Sequence, residues 1–247
     1  PPANRMVFIV AVAIVAVLVV LGAVAPERFA AASDALLAFT TSRFGWLYLV
    51  ATFGFLVFAL YLAFSRHGQV RLGTDDDEPE YGNASWFAML FSAGMGIGLV
   101  FWGVAEPMSH YVDPPLGAEG RTPEAARLAL RFSFFHWGLH AWGIYTVIAL
   151  AIAYFSFRQG RPGLISSTFH PLLGDRVHGP IGVAIDVLAV IATVFGVATS
   201  LGLGTLQING GLAHLTGLPS TLGVQLTIIA VVTVLYMISA LTGLDRG

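Results

Sequence analysis

Six stretches of this chain stay apolar for about the 20 residues a helix needs to cross the hydrocarbon core of a bilayer. They cover residues 6–25, 45–64, 86–105, 132–157, 181–206 and 220–241. Trp46, Tyr48 and Tyr61 sit near the ends of the second run, where interfacial aromatics belong. The chain is 56% hydrophobic and 11% charged, with a mean hydropathy of +0.79, which places it among multi-spanning membrane proteins. The expected fold class is an all-α integral membrane protein with about six transmembrane helices.

Several classes fall away on composition. The first apolar run is too long for a secretory signal and lacks a cleavage site. Cysteine is absent, which removes disulfides, thiolate catalysis and cysteine-based metal sites. A formal net charge of −2, with no basic patch, gives no basis for binding nucleic acid. With the N-terminus inside, the inner segments carry seven arginines and the outer ones five, so the arginine bias favours that orientation.

Between the spans, residues 30–41 read as a short amphipathic helix at the surface. The acidic run Asp75-Asp76-Asp77-Glu78 lacks the alternating ligands and central glycine of a calcium loop and reads as a solvated run. Glu106-Pro107 is expected to end the third span. Thr122, followed by Pro123 and Glu124, reads as the N-cap of a surface helix that precedes the fourth span. Residues 164–173 read as an amphipathic piece, and Ser220 as the cap of the sixth span. The chain begins Pro-Pro and stops just past that span, so it is expected to be a piece of a longer protein.

The third span contains Phe91-Ser92-Ala93-Gly94-Met95-Gly96-Ile97-Gly98-Leu99-Val100-Phe101-Trp102-Gly103. Each interior glycine costs a helix about 1 kcal/mol relative to alanine, so three at alternate positions invite it to open. Opened backbone at membrane depth survives only inside protein or along a watery cavity, and discontinuous helices of this kind form transporter sites. Close helix packing through small residues is the alternative reading.

The fourth span holds Trp137, Trp142 and Tyr145, which fall at about 0°, 140° and 80° around one continuous helix. A quaternary ammonium has no N–H to donate, and several aromatic faces hold it by cation–π contact. Aromatic packing or an interfacial belt is the alternative. His136 and His140, four apart, have a spacing that suits zinc, but the sequence offers no third ligand, so they read as a hydrogen-bonding pair between helices, with proton relay as the alternative. Asp186 and Glu106, near span ends, are functional candidates or else caps and ion pairs. Thr193, Thr199, Ser200 and Thr205 offer oxygens to a cation or to neighbouring helices.

Taken together, the strings Gly94-Met95-Gly96-Ile97-Gly98, Gly103-Val104-Ala105-Glu106-Pro107 and Phe135-His136-Trp137-Gly138-Leu139-His140-Ala141-Trp142, with Tyr145, resemble the betaine/choline/carnitine transporter family. Ile191 to Gly196 and Ser200 to Gly204 are similar as well. The resemblance implies a leucine-transporter-like inverted repeat behind two lead-in helices. Residues 1–80 would be the lead-in part. Residues 81–247 would be four helices of the first repeat, leaving that repeat incomplete and the second absent. It also implies a multi-pass protein of the bacterial cytoplasmic membrane, trimeric at full length, with the lipid bilayer and a small quaternary-ammonium substrate as partners.

The implied activity is import of glycine betaine or a related osmolyte by sodium symport. Proton-coupled or cation-independent carriers and exchangers of the same family are the alternative. A membrane-embedded enzyme would need convergent catalytic groups, and only the two histidines offer themselves. By this resemblance, Trp137, Trp142 and Tyr145 match aromatics near the trimethylammonium site, and Phe101 a gating phenylalanine. Gly94, Met95, Gly96 and Gly98 match the opened substrate-binding backbone. The resemblance implies no cofactor beyond a coupling sodium ion, with ligands at the Ser92 and Met95 carbonyls and the Thr193 hydroxyl. Two positions depart from the pattern: Val197 stands where sodium-coupled carriers have a second threonine, and Ala141 replaces a common proline. Gly98 stands where choline carriers tend to have aspartate, which suits a zwitterion with its own carboxylate.

Overall fold

The computed structural model describes residues 4–243; Arg246, counted among the inner arginines, lies outside them. Ten α-helices occupy this range and no strand is found among the described residues. Five helical segments are long and apolar enough to cross a membrane, or six if the bent pair in the third span counts as one. The protein is therefore an all-α, multi-pass membrane protein. Its residues group into two compact units, 1–79 with 134–192, and 80–133 with 193–247.

In the first unit, α1 (Arg5–Val24) starts where the Asn4 side chain accepts the Met6 N–H at 3.0 Å. Pro26 then opens α2 (Pro26–Phe64), a helix of 39 residues and about 58 Å, well beyond the ~30 Å hydrocarbon core. The expected separate surface helix at 30–41 is thus the first half of α2. Gly45 alone does not break it, and Ser33 and Thr41 hydroxyls donate back to the Phe29 and Leu37 carbonyls at 2.8 Å each. That back-bonding gives polar residues a place inside an apolar helix.

α2 packs against α6 (Leu139–Ala153), which ends in a π-helical turn at Tyr154–Arg158. Arg158 donates to the Gly73 carbonyl at 2.8 Å and to the Asp75 carboxylate at 2.6 Å. Arg71 donates to the Asp75 carbonyl at 2.6 Å, and Asp77 accepts from the amide and hydroxyl of Thr74. The acidic run is exposed as expected, but the Asp75 carboxylate is held by Arg158, the Asp75 and Asp77 carbonyls by Arg71, and the Asp77 carboxylate by Thr74. The Arg158 hydrogen bond holds the Asp75 carboxyl below its ordinary range, and the Thr74 hydroxyl does the same for Asp77.

The amphipathic piece at 164–173 is two short helices, α7 (Ile165–Thr168) and α8 (His170–Leu173). Asp186, on α9 (Pro180–Thr216), accepts from the Ser166 amide at 2.9 Å and its hydroxyl at 2.8 Å, with both residues buried. The carboxylate therefore caps a neighbouring segment rather than its own helix. Asp186→Ala is expected to strand both Ser166 donors, at about 1–3 kcal/mol. Faster amide exchange at residues 164–168 in the full-length protein would register it; unchanged exchange would mean that the segment is held by other contacts.

In the second unit, α3 (Asn83–Gly94) and α4 (Ile97–Val112) form the third span. Pro107 lies inside α4, which continues to Val112, so Glu106-Pro107 does not end the span. Proline forfeits one ladder bond. The buried Glu106 carboxylate meets the His110 ring at 3.3 Å across the same turn, and His110 lies against Phe132 with ring centroids 5.8 Å apart. Glu106 thus has a partner on its own helix, one turn on. Thr122 caps α5 (Pro123–Trp137) as expected, its hydroxyl accepting the Ala125 N–H at 3.1 Å.

α5 and α9 contribute residues to both units. α9 runs ten residues beyond its expected end, to Thr216, with Thr205 and Thr216 hydroxyls bonded back to Leu201 and Leu212 carbonyls. α10 (Leu222–Thr242) starts from Thr221, with no side-chain cap, so Ser220 is not the cap. Fully buried Asn209 on α9 accepts from Gln225 on α10 at 3.5 Å, the amide glue expected between membrane helices.

Candidate functional site

The candidate residues fall into two groups, one in each unit. In the first unit, the fourth span is not one continuous helix. α5 stops at Trp137 and α6 starts at Leu139, with Gly138 between them at φ −87°, ψ −145°. A side chain at 138 would run into the Phe134 carbonyl, so the close approach at this break requires glycine. The shared face expected for Trp137, Trp142 and Tyr145 presumed unbroken helix geometry, which the break at Gly138 interrupts between Trp137 and the other two. Trp142 and Tyr145, three apart on α6, do lie together, with ring centroids 5.6 Å apart and planes tilted by 39°. Both are exposed, Trp142 at 41% and Tyr145 at 69%. The same break separates His136 on α5 from His140 on α6. Each ring packs on Phe135, at 5.6 and 4.8 Å between centroids.

In the second unit, the glycine-rich stretch does open. α3 ends at Gly94, Met95 (φ −93°, ψ 40°) and Gly96 (φ −68°, ψ 173°) leave the helix, and the two segments meet at 43°. The Met95 N–H closes α3 on the Phe91 carbonyl at 2.8 Å, and the Val100 N–H opens α4 on the Gly96 carbonyl at 3.2 Å. A helix end leaves its last four carbonyls without intrahelical partners, and Ser92 falls in that last turn while Met95 sits in the break itself. Carbonyl oxygens of this kind are ligands for hard cations. Gly98 is half-buried in the first turn of α4, and a Cβ there would meet nothing within 4 Å. Phe101, one turn on, packs edge-to-face on Trp102 at 5.2 Å. Thr193 lies on α9, with half-buried Val197 one turn further along.

The structure thus brings together Trp142 with Tyr145, and gathers Ser92, Gly94, Met95, Gly96 and Gly98 at one helix break. The break at Gly138 was missed, because a single glycine in an apolar span gives too weak a signal. The Asp186–Ser166 bonds had none at all, since they join residues 20 apart.

Comparison with known proteins gives the family. The family model described as betaine/carnitine/choline family transporter matches residues 6–247. The glycine betaine transporter OpuD of Bacillus subtilis is 56% identical over 98% of this chain and 47% of its own length. A probable glycine betaine transporter of Desulfitobacterium hafniense is 50% identical over 99% of the chain and 49% of its own length. An ectoine/hydroxyectoine transporter of Virgibacillus pantothenticus is 49% identical over 99% and 48%. The chain spans about half the length of these relatives. A helix opened at Gly94–Gly96, a paired aromatic face on α6 and a match over nearly every residue lead to one conclusion: this chain belongs to the betaine/carnitine/choline family of transporters, not to a family of enzymes.

Proposed function

We propose that the full-length protein is a secondary transporter that imports glycine betaine, or a closely related small zwitterion, by sodium symport with alternating access around the opened third span. The observation that carries the substrate reading is the Trp142–Tyr145 pair, two exposed rings on α6 with centroids 5.6 Å apart. A quaternary ammonium, which has no N–H and donates no hydrogen bond, is held by such faces. Trp137 and Phe101 complete the aromatic set in this reading. The opened backbone at Gly94, Met95, Gly96 and Gly98 supplies neutral dipoles, and the substrate supplies both charges. Two of the relatives above carry glycine betaine in their names and the third carries ectoine, which also pairs a delocalised cation with a carboxylate.

Sodium is proposed at the Ser92 and Met95 carbonyls and at the Thr193 hydroxyl, with no further cofactor. The protein is placed in the bacterial cytoplasmic membrane with its N-terminus inside, as a homotrimer. Titration of the full-length protein tests the substrate. Glycine betaine is expected to bind at least about tenfold more tightly than glycine, a difference of about 1.4 kcal/mol. Equal affinity for the two would remove the aromatic faces from recognition.

One observation favours a second reading, a proton-coupled or cation-independent carrier. Val197 presents no oxygen one turn beyond Thr193. Under sodium symport, Val197→Thr adds a ligand and is expected to lower the half-saturating sodium concentration for betaine uptake. Identical sodium dependence in both proteins would show that position 197 faces no ion.

A further inference from the structure

Gly143 sits between Trp142 and Tyr145 in sequence, yet on the helix it points away from both. At about 100° per residue, the two rings are centred roughly 130° around α6 from Gly143. Gly143 is buried, while the rings are exposed. A Cβ at Gly143 would lie 3.0 Å from the Leu56 Cα, 3.1 Å from its N and 3.3 Å from its Cβ. Two of these three atoms are main chain in the middle of α2, so no rotamer change relieves the overlap. Ordinary carbon–carbon contact is about 3.5–4.0 Å. Gly45 and Gly54, the other glycines of these two helices beyond Gly143 itself, would meet nothing within 4 Å. Backbone meets backbone at Gly143 and not at those two.

We propose that Gly143 is a positioning residue for substrate recognition. Its contact with the Leu56 main chain fixes the rotation of α6 on α2, and so turns Trp142 and Tyr145 away from α2 as an open ring pair. This rests on the reading that these rings hold the ammonium group. Small residues allow membrane helices to approach this closely. A bulkier residue at 143 forces α6 to retreat or roll, and the rings move with it. Cation–π attraction needs the cation over the ring face within about 6 Å, so a modest roll costs affinity while leaving both rings intact.

The test compares four variants of the full-length protein in proteoliposomes, reading betaine binding and uptake. Trp142→Leu tests the ring reading itself: if binding is unchanged, that reading fails whatever Gly143 does. Given a loss there, Gly143→Ala is expected to raise half-saturating betaine at least about fivefold with maximal uptake little changed, the pattern of lost binding rather than lost turnover. Gly54→Ala adds the same methyl to α2 in open space and is expected to bind normally. Leu56→Ala keeps the main-chain contact and trims only the side chain, and is also expected to bind normally. It keeps the test decisive should Gly143→Ala fail to reach the membrane. Normal binding by Gly143→Ala beside impaired Trp142→Leu overturns the proposal. So does a loss in Leu56→Ala as large as that of Trp142→Leu, which would assign ring orientation to side-chain packing.

Discussion

Trp142→Leu in the full-length protein is expected to weaken glycine betaine binding by about five- to thirtyfold, with folding and membrane abundance unchanged. Leucine keeps apolar bulk on an exposed face of α6 and removes the indole π surface. The ring is 41% exposed and touches Tyr145 across 5.6 Å, so little core packing depends on it. A desolvated cation–π contact is worth up to about 2 kcal/mol, and loss of 1–2 kcal/mol corresponds to that range of affinity. Tyr145 remains, which is why abolition is not expected. Equilibrium binding of radiolabelled betaine checks it. Unchanged affinity at normal abundance would leave Trp142 a lipid- or packing-facing residue.

Gly98→Asp is expected to shift the choline-to-betaine uptake ratio at least about tenfold toward choline. Gly98 is half-buried at the start of α4, and a Cβ there meets nothing within 4 Å, so the fold has room for the new side chain. In a site poor in water, an added carboxylate is weakly screened. Choline has one positive charge and no carboxylate, so it gains a counter-charge. Betaine gains less, because its own carboxylate is repelled by the same group. Only about 1.4 kcal/mol of differential binding is needed for the tenfold shift. Competition uptake with both labelled substrates measures it. A ratio that stays put, or moves toward betaine, would place Gly98 away from the ammonium.

The spans were legible because a bilayer imposes one pattern, a long apolar run. Thr122 was legible as a cap because its signal is local, a hydroxyl followed by Pro123 and Glu124. The opening at Gly94–Gly96 was legible because three alternate glycines act within one turn. What escaped depends on competition or on distance. Pro107 forfeits a single ladder bond, and the Glu106–His110 pair spans the same turn, so α4 runs on. Residues 30–41 carry polar side chains that bond back to their own helix, so amphipathic appearance did not mean a separate element. Gly138 leaves the helix beside the Phe134 carbonyl, while Gly143 stays helical against the Leu56 main chain. No local pattern separates a glycine that breaks a helix from one that lets a neighbour approach. The same holds for Asp186, whose acceptor role appears only when Ser166 is brought to it.

Radiolabelled glycine betaine uptake by the full-length protein in proteoliposomes tests whether sodium drives uptake of a methylated zwitterion. With an inward sodium gradient, betaine is expected to accumulate inside and to be displaced by excess unlabelled betaine. Replacing sodium with N-methylglucamine on both sides is expected to abolish accumulation. Uptake no greater than in protein-free liposomes under a sodium gradient, or accumulation that persists undiminished without sodium, would contradict the account.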